Sequence, residues 1–271
     1  MIKVLIIGKK SFIGTNLHNY LKKKNISSKI ISFETFLKNN INLAEFNYII
    51  NCTSNKNLVK KNYNKKFDHD LIIAKKIKNF NCNLIFLSTR KIYKPKFNIK
   101  ENSFKYPQCD YSKNKLITEK SLKKTLKNKI LILRVSNIIG KPKIHKRKLH
   151  KTFIDHFFKF VKKGYIFENE RIYKDFVSIK KFCEIMFEII NKNIVGTYNL
   201  SLGDRVYLNE LVQWLNTYNN KKIIKLNLKK GFNNDSFTLN NKKLMKKLKI
   251  KNSLAELKKD SIRISREIFK N

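Results

Sequence analysis

The chain has 271 residues, enough for one or two domains with a sizeable core, and its 42% hydrophobic and 12% aromatic content excludes a disordered chain. Basic residues outnumber acidic ones 61 to 19, a formal net charge of +42 that raises nucleic acid or an anionic membrane as a partner. Only seven of the basic residues are arginine, and Lys, Asn and Ile abound while Gly, Pro and Trp are scarce; AT-rich codon usage at tolerant surface positions therefore accounts for the charge better than a polyanion-binding face does.

The apolar run Val4 to Ile7 predicts a first strand, and Ile13, Leu17, Tyr20 and Leu21 at helical spacing predict the helix after it. Strands are expected at Lys29 to Phe33 and Tyr48 to Asn51. A helix is expected over Phe67 to Phe80, followed by a strand over Asn83 to Ser88 whose LIFLS core reads as buried on both faces. A helix from about Tyr111 to Leu126 and a buried strand from Lys129 to Val135 continue the alternation, which is that of a doubly wound parallel α/β sheet of the Rossmann type. After Gly140 and Pro142 the stretch KPKIHKRKLHK is basic and turn-rich, placing a boundary between a dinucleotide-binding domain (1–140) and a smaller C-terminal α/β substrate lobe (141–271). In that lobe 152–162, 178–190, Leu208 to Tyr218 and Ser253 to Phe269 read as helices and Gly196 to Leu200 as a strand.

The four cysteines, at 52, 82, 109 and 183, form no CxxC pair and have no His companions at ligand spacing, so neither a zinc site nor a disulfide framework is implied, and a reducing compartment is expected. The opening apolar run is too short for a signal-peptide core, and nowhere do about 18 apolar residues run together. The expectation is a cytoplasmic protein without membrane contact.

The first strand runs into Gly8-Lys9-Lys10-Ser11-Phe12-Ile13-Gly14 and then a helix, the context a dinucleotide fingerprint requires. Gly8 permits the tight turn, Gly14 permits close packing of helix on strand, and the free N–H groups at the helix start favour a pyrophosphate. Ser11 stands where a middle glycine is usual. By itself the motif also fits an ordinary strand-to-helix turn.

Further on, Ser88-Thr89-Arg90-Lys91-Ile92-Tyr93 follows the LIFL strand and Tyr111-Ser112-Lys113-Asn114-Lys115 opens a helix; later come Arg134 to Gly140 (RVSNIIG), Lys174 to Ile179 (KDFVSI) and Gly196 to Leu200 (GTYNL). In this order and spacing the segments resemble the extended short-chain dehydrogenase/reductase family, in the NAD-dependent epimerase/dehydratase branch acting on nucleotide sugars. The resemblance spans nearly the whole chain, with part of 173–195 returning to the first sheet. It implies that Thr89, Tyr111 and Lys115 are catalytic. It further implies cofactor contacts from Gly8, Lys10, Ser11, Phe12, Ile13, Gly14, Ser32, Thr53, Tyr111 and Lys115, and substrate contacts from Thr89, Asn137 and Arg171.

The spacing of Tyr111 and Lys115 has its own physical reason. Residues four apart share a helix face, and a free tyrosine, titrating near pH 10, needs a neighbouring cation to exchange protons at neutral pH. Taken alone, the pair also fits the surface of any lysine-rich helix. Counting on from the glycine turn places Ser32, not an acid, where NAD-preferring members hold the ribose 2′-OH, with Glu34 close by; Lys9 and Lys10 tilt the expectation from NAD(H) toward NADP(H).

Arg90 and Lys91 occupy the places where the branch's dehydratases carry an acidic pair, which argues against dehydration. No cysteine stands two residues after Thr89, where the branch's GDP-fucose synthases carry one. Hydride transfer at one sugar carbon remains, either as net reduction of a keto-sugar or as 4-epimerisation, and the short C-terminal lobe is closer to dTDP-4-dehydrorhamnose reductases. A homodimer through the 67–80 and 111–126 helices is implied by the resemblance. The basic stretch Lys141 to Lys151 and Arg171 are candidates to face a diphosphate. The rival of another class is a non-catalytic dinucleotide-fold protein that uses its charge to bind nucleic acid.

Overall fold

The computed structural model describes residues 1–38, 41–141, 153–168, 171–227 and 235–270. Two compact units emerge: Met1–Lys94, Glu101–Val135 and Cys183–Tyr198 form the first, and Pro95–Lys100, Ser136–Phe182 and Asn199–Asn271 the second. The chain leaves the first unit after Val135, ahead of the turn at Gly140, and the piece that returns is 183–198.

The first unit begins with β1 (Lys3–Ile7), α1 (Phe12–Lys23), β2 (Ser27–Ile31), α2 (Phe33–Lys38) and β3 (Tyr48–Asn51). It continues with α3 (Lys56–Lys60), α4 (His69–Ile77), β4 (Asn83–Thr89), α5 (Asp110–Leu126) and β5 (Ile130–Val135). Six strands make a parallel sheet in the order β2, β1, β3, β4, β5 and a strand at Gly196–Leu200. The register pairs Ile7 with both Ile31 and Asn51, and Thr89 with Val135, so the carboxyl ends of neighbouring strands lie side by side.

Alternation along the strands divides the core. Leu5, Ile7, Ile49, Leu84, Phe86, Ile130 and Ile132 join Phe36 of α2, Ile73 and Ile77 of α4, and Leu122 of α5 in one buried cluster. Val4, Ile6, Ile50, Ile85, Leu131 and Leu133, which alternate with them, are also fully buried, as a sheet covered on both faces requires. A fully buried side chain of this size stabilises the fold by about 1.5–3 kcal/mol relative to exposure.

The second unit contains β6 (Asn137–Ile139), α6 (Phe153–Lys162), β7 (Tyr165–Glu168), β8 (Tyr173–Lys174), β9 (Phe176–Ser178) and the start of α7 (Ile179–Asn191). After β10 (Gly196–Leu200), the sheet's sixth strand, come β11 (Val206–Tyr207), α8 (Leu208–Asn216), β12 (Ile224–Asn227), α9 (Lys242–Leu248) and α10 (Leu254–Phe269). The strands here form three two-stranded pieces, and α6, α8 and α10 bury Phe157, Leu211, Leu215, Leu257 and Ile264 together. Asp175, with no solvent exposure, accepts backbone N–H bonds from Leu202 (2.9 Å), Gly203 and Leu239 (2.9 Å), joining three segments distant in sequence. Burial pushes its carboxyl up to about 7, against the pull of those donors. Among the described residues no helix is long and apolar enough to cross a membrane.

Candidate active site

The glycine turn has the conformation its residues predict. Gly8 takes φ +137°, a region side chains avoid, and its N–H and that of Lys9 both reach the Ile31 carbonyl at the end of β2 (2.7 and 3.0 Å). A Cβ on Gly14 would stand 2.8 Å from the Gly8 carbonyl oxygen and 3.4 Å from Ile6 Cγ2, so only glycine lets α1 approach β1 this closely. Ser11 caps α1, its Oγ accepting from Gly14 N (3.3 Å), which leaves the hydroxyl proton available to a ligand. Phe12 and Ile13 open the helix, so their amides have no acceptor within it. Positive φ, close approach and open amides at one helix start fit the pyrophosphate of a dinucleotide.

Beyond β2, the Ser32 hydroxyl accepts from Thr35 N (3.0 Å) and starts α2, so it serves as a helix cap. Glu34 lies in the first turn of that helix. Its own backbone amide, the Ser32 hydroxyl and the charges of His69 and Lys10 hold its carboxyl below the ordinary range. Lys9 and Lys10 are exposed.

Tyr111 sits in the first turn of α5 and Lys115 follows one turn later; both line a cleft with Thr53, His69, Asp70 and Asn114. Lys115 is 8% exposed. Its Nζ donates to the Leu87 carbonyl on β4 (3.0 Å), lies 4.3 Å from the centre of the Phe86 ring and meets Asp70 Oδ2 at 3.5 Å. Burial opposes the ammonium, but the negative charge of Asp70 prevails and holds it above the ordinary lysine range. Burial also pushes Asp70 up, to about 6, with Lys115 pulling the other way.

Thr89 ends β4 two residues beyond Leu87, and its Oγ1 accepts from Lys91 N (3.2 Å), capping a 3-10 turn over Arg90–Ile92. Thr53 reaches the cleft from the end of β3: its N and Oγ1 both donate to Asn51 Oδ1 (2.9 and 2.7 Å). Since the Thr53 hydroxyl gives its proton to Asn51, the contact to His69 Nδ1 at 2.9 Å makes the imidazole the donor there. The His69 ring stacks on Phe33 with centroids 3.5 Å apart, and burial lowers its titration to about 4.

The structure thus brings Thr53, Tyr111 and Lys115 to one cleft, with Gly8 to Gly14 and Ser32 on neighbouring strand ends of the same unit. Asn137 and Arg171 belong to the second unit, where Asn137 Nδ2 donates to the Asp175 carbonyl (3.1 Å) and Arg171 is exposed. Of the basic stretch, only Lys141 falls within the described residues. Sequence reasoning missed Asn51, His69 and Asp70. Nothing in helical periodicity distinguishes the two polar residues of α4 from any others on a surface helix.

A family model described as the NAD dependent epimerase/dehydratase family matches residues 4–201. No curated protein sequence matches the chain. Among solved structures, a dTDP-4-dehydrorhamnose reductase from Clostridium acetobutylicum is similar at TM-score 0.75 and 15% identity, over 98% of this chain and 99% of that one. A UDP-N-acetylglucosamine 4-epimerase from Methanobrevibacter ruminantium, in complex with UDP-N-acetylmuramic acid, gives 0.77 and 17% over 99% and 98%. A dTDP-glucose 4,6-dehydratase from Bacillus anthracis, in complex with NAD, gives 0.78 and 15% over 100% and 97%.

Proposed function

The chain belongs to the NAD dependent epimerase/dehydratase family, and from that premise we propose that it is an NAD(P)-dependent oxidoreductase acting on a nucleotide sugar, reducing a keto-sugar much as dTDP-4-dehydrorhamnose reductase does. The observation that carries this reading is the placement of Tyr111 and the buried Lys115 ammonium in one cleft, in the same unit as a glycine turn suited to a pyrophosphate.

Gly8, Ser11, Phe12, Ile13 and Gly14 would hold the dinucleotide phosphates, Thr53 the adenosine side, and Lys115 the nicotinamide ribose. When bound, a dihydronicotinamide supplies a hydride to the sugar carbonyl carbon. Tyr111 gives its phenolic proton to the carbonyl oxygen as the new C–H bond forms, and the phenol is then reprotonated from solvent. Thr89 orients that oxygen, and the Lys115 charge stabilises the phenolate left behind; a positioned acid of this kind contributes roughly 10²- to 10⁴-fold in rate. Asn137 and Arg171 would contact the nucleotide sugar.

Arg90 and Lys91 after Thr89 supply no carboxylate to remove a carbon-bound proton, which favours reduction over dehydration. The second reading, a 4-epimerase, uses the same Tyr111 and Lys115 in both directions. For the cofactor we favour NADP(H), because Lys9 and Lys10 offer charge to a 2′-phosphate, with Glu34 as the opposing group. A homodimer through α4 and α5 would use Ile117, 39% exposed on an outer face otherwise rich in lysine.

The test is oxidation of reduced dinucleotide by the full chain in the presence of a dTDP-4-keto-6-deoxy sugar, with Tyr111→Phe alongside. Turnover in the wild type, lost in the variant while cofactor binding persists, supports the reading. Turnover retained by Tyr111→Phe refutes it.

A further inference from the structure

The chemistry above leaves unused a buried acid at the centre of the site. Asp70 lies in the first turn of α4 and is only 4% exposed. Its Oδ2 meets Lys115 Nζ at 3.5 Å and its Oδ1 accepts from Asn51 Nδ2 at 2.8 Å. Asn51 is in turn locked at the end of β3 by the two bonds from Thr53. The carboxylate is therefore clamped from one side by the sheet and offers its other oxygen to Lys115. A lysine ammonium on a flexible four-carbon stem needs more than one acceptor to stay in place, and the other acceptor here is the Leu87 carbonyl, two residues before Thr89.

We propose that Asp70 is a positioning residue, which with Leu87 fixes the Lys115 ammonium between β4 and α4 and so sets the charge presented to Tyr111 and to the nicotinamide ribose. This rests on the reading of Lys115 as a cofactor-binding residue. The other titratable or charged groups that act on the pair are His69 of α4, Asp68 at the N-cap of α4, Cys52 beyond β3 and Tyr111 of α5. Asp68 is itself engaged by Thr118 Oγ1 (2.6 Å) and the Tyr63 hydroxyl (2.9 Å), which leaves Asp70 as the acid within salt-bridge distance of Lys115.

Burial pushes Asp70 up to about 6. As pH falls through that value the carboxyl takes up a proton, and Lys115 loses its charged partner. Calorimetric titration of NAD⁺ and NADP⁺ into the full chain, across about pH 5 to 8, reads this out. In the wild type affinity falls on acidification. Asp70→Asn binds about tenfold more weakly at the upper pH, with a much flatter pH dependence, and Asp70→Glu restores part of both. Comparing variant with wild type cancels titration of the ligand's own phosphates. An Asp70→Asn protein that binds more weakly but keeps the wild-type pH step has lost only structural support, and that result overturns the proposal.

A wild type that binds neither dinucleotide at any pH overturns the functional reading instead. The ion pair is then judged by unfolding of Asp70→Asn, Lys115→Met and the double variant. The proposal expects the double variant to lose less stability than the two single losses together, because each single change strands a buried charge; additive losses overturn it.

Discussion

Arg134 and Glu119 meet through two parallel bonds, Nε to Oε1 at 3.1 Å and Nη2 to Oε2 at 2.7 Å, with side chains only 4% and 3% exposed. Arg134 Nη1 also reaches the Tyr93 hydroxyl (2.6 Å) and the Glu101 carbonyl (2.8 Å), and Glu119 takes the Ser88 hydroxyl at 2.5 Å. The network ties β5 and α5 to the residues on either side of Thr89. Arg134→Met leaves a carboxylate buried without its partner and should cost about 3–5 kcal/mol in denaturant unfolding. A loss below about 1 kcal/mol, the range of an exposed pair, would show that the network contributes little.

At Gly14 the obstacle to a side chain is the Gly8 carbonyl, a backbone atom that cannot swing aside. Gly14→Ala should therefore push α1 from β1 and cost about 1–3 kcal/mol. Dinucleotide affinity should fall with it, because the same displacement moves the amides of Phe12 and Ile13. Wild-type affinity in this variant would remove the turn from the binding site.

Glu34 and Lys10 bear opposite charges on the same region. Glu34→Gln removes the charge that would repel a 2′-phosphate, and we expect the ratio of NADPH to NADH affinity to rise about fivefold or more. Competitive titration of the two cofactors measures it. An unchanged ratio would place Glu34 outside the ribose site.

Because His69 titrates near 4 when folded and near 6.5 when unfolded, the unfolded chain holds the extra proton between those values. Its contribution to stability is complete above about pH 6.5 and is lost as pH falls toward 4. Asp70, raised to about 6, acts with the opposite sign, losing stability as pH rises from about 4 to 6. Unfolding free energies of wild type and His69→Gln, compared from pH 4 to 7, separate the two: relative to wild type the variant should lose less stability, or gain some, on acidification through that window, because only the Asp70 contribution remains. Parallel curves would mean that His69 is not buried as a neutral ring.

Asp175→Asn replaces an oxygen that accepts backbone N–H with an amide that donates, facing Leu239, Leu202 or Gly203. We expect about 2–3 kcal/mol of destabilisation, and increased amide exchange at Leu202 and Leu239 under native conditions. Exchange confined to other segments would contradict the bridging role.

Legibility in the sequence followed the length of each apolar pattern. β4, β5, α5, α7 and α10 were readable because long runs or sustained helical spacing outweigh local ambiguity. β2 was expected at Lys29 to Phe33 and occupies Ser27–Ile31; its strand is half exposed, and Ser32 turns Phe33 into the start of α2. α4 is shorter than the expected Phe67 to Phe80 because the Asp68 side chain accepts from Leu71 N and starts the helix there. β6 to β9, β11 and β12 have two to four residues each, and partners distant in sequence decide them, as Val206 pairing with Lys174 shows. Tyr111 and Lys115 could be found from spacing and resemblance. Asp70 could not, since its relation to Lys115 exists only once α4 lies beside α5.

The strand beside β5, β10, is made only after the second unit's segments 95–100 and 136–182 have been synthesised. Until then, the emerging polypeptide carries an apolar six-residue strand with one row of unpaired amides and carbonyls facing outward. Ribosome-bound intermediates ending before Gly196 should therefore engage chaperones and self-associate, and release from both should coincide with the emergence of Tyr198.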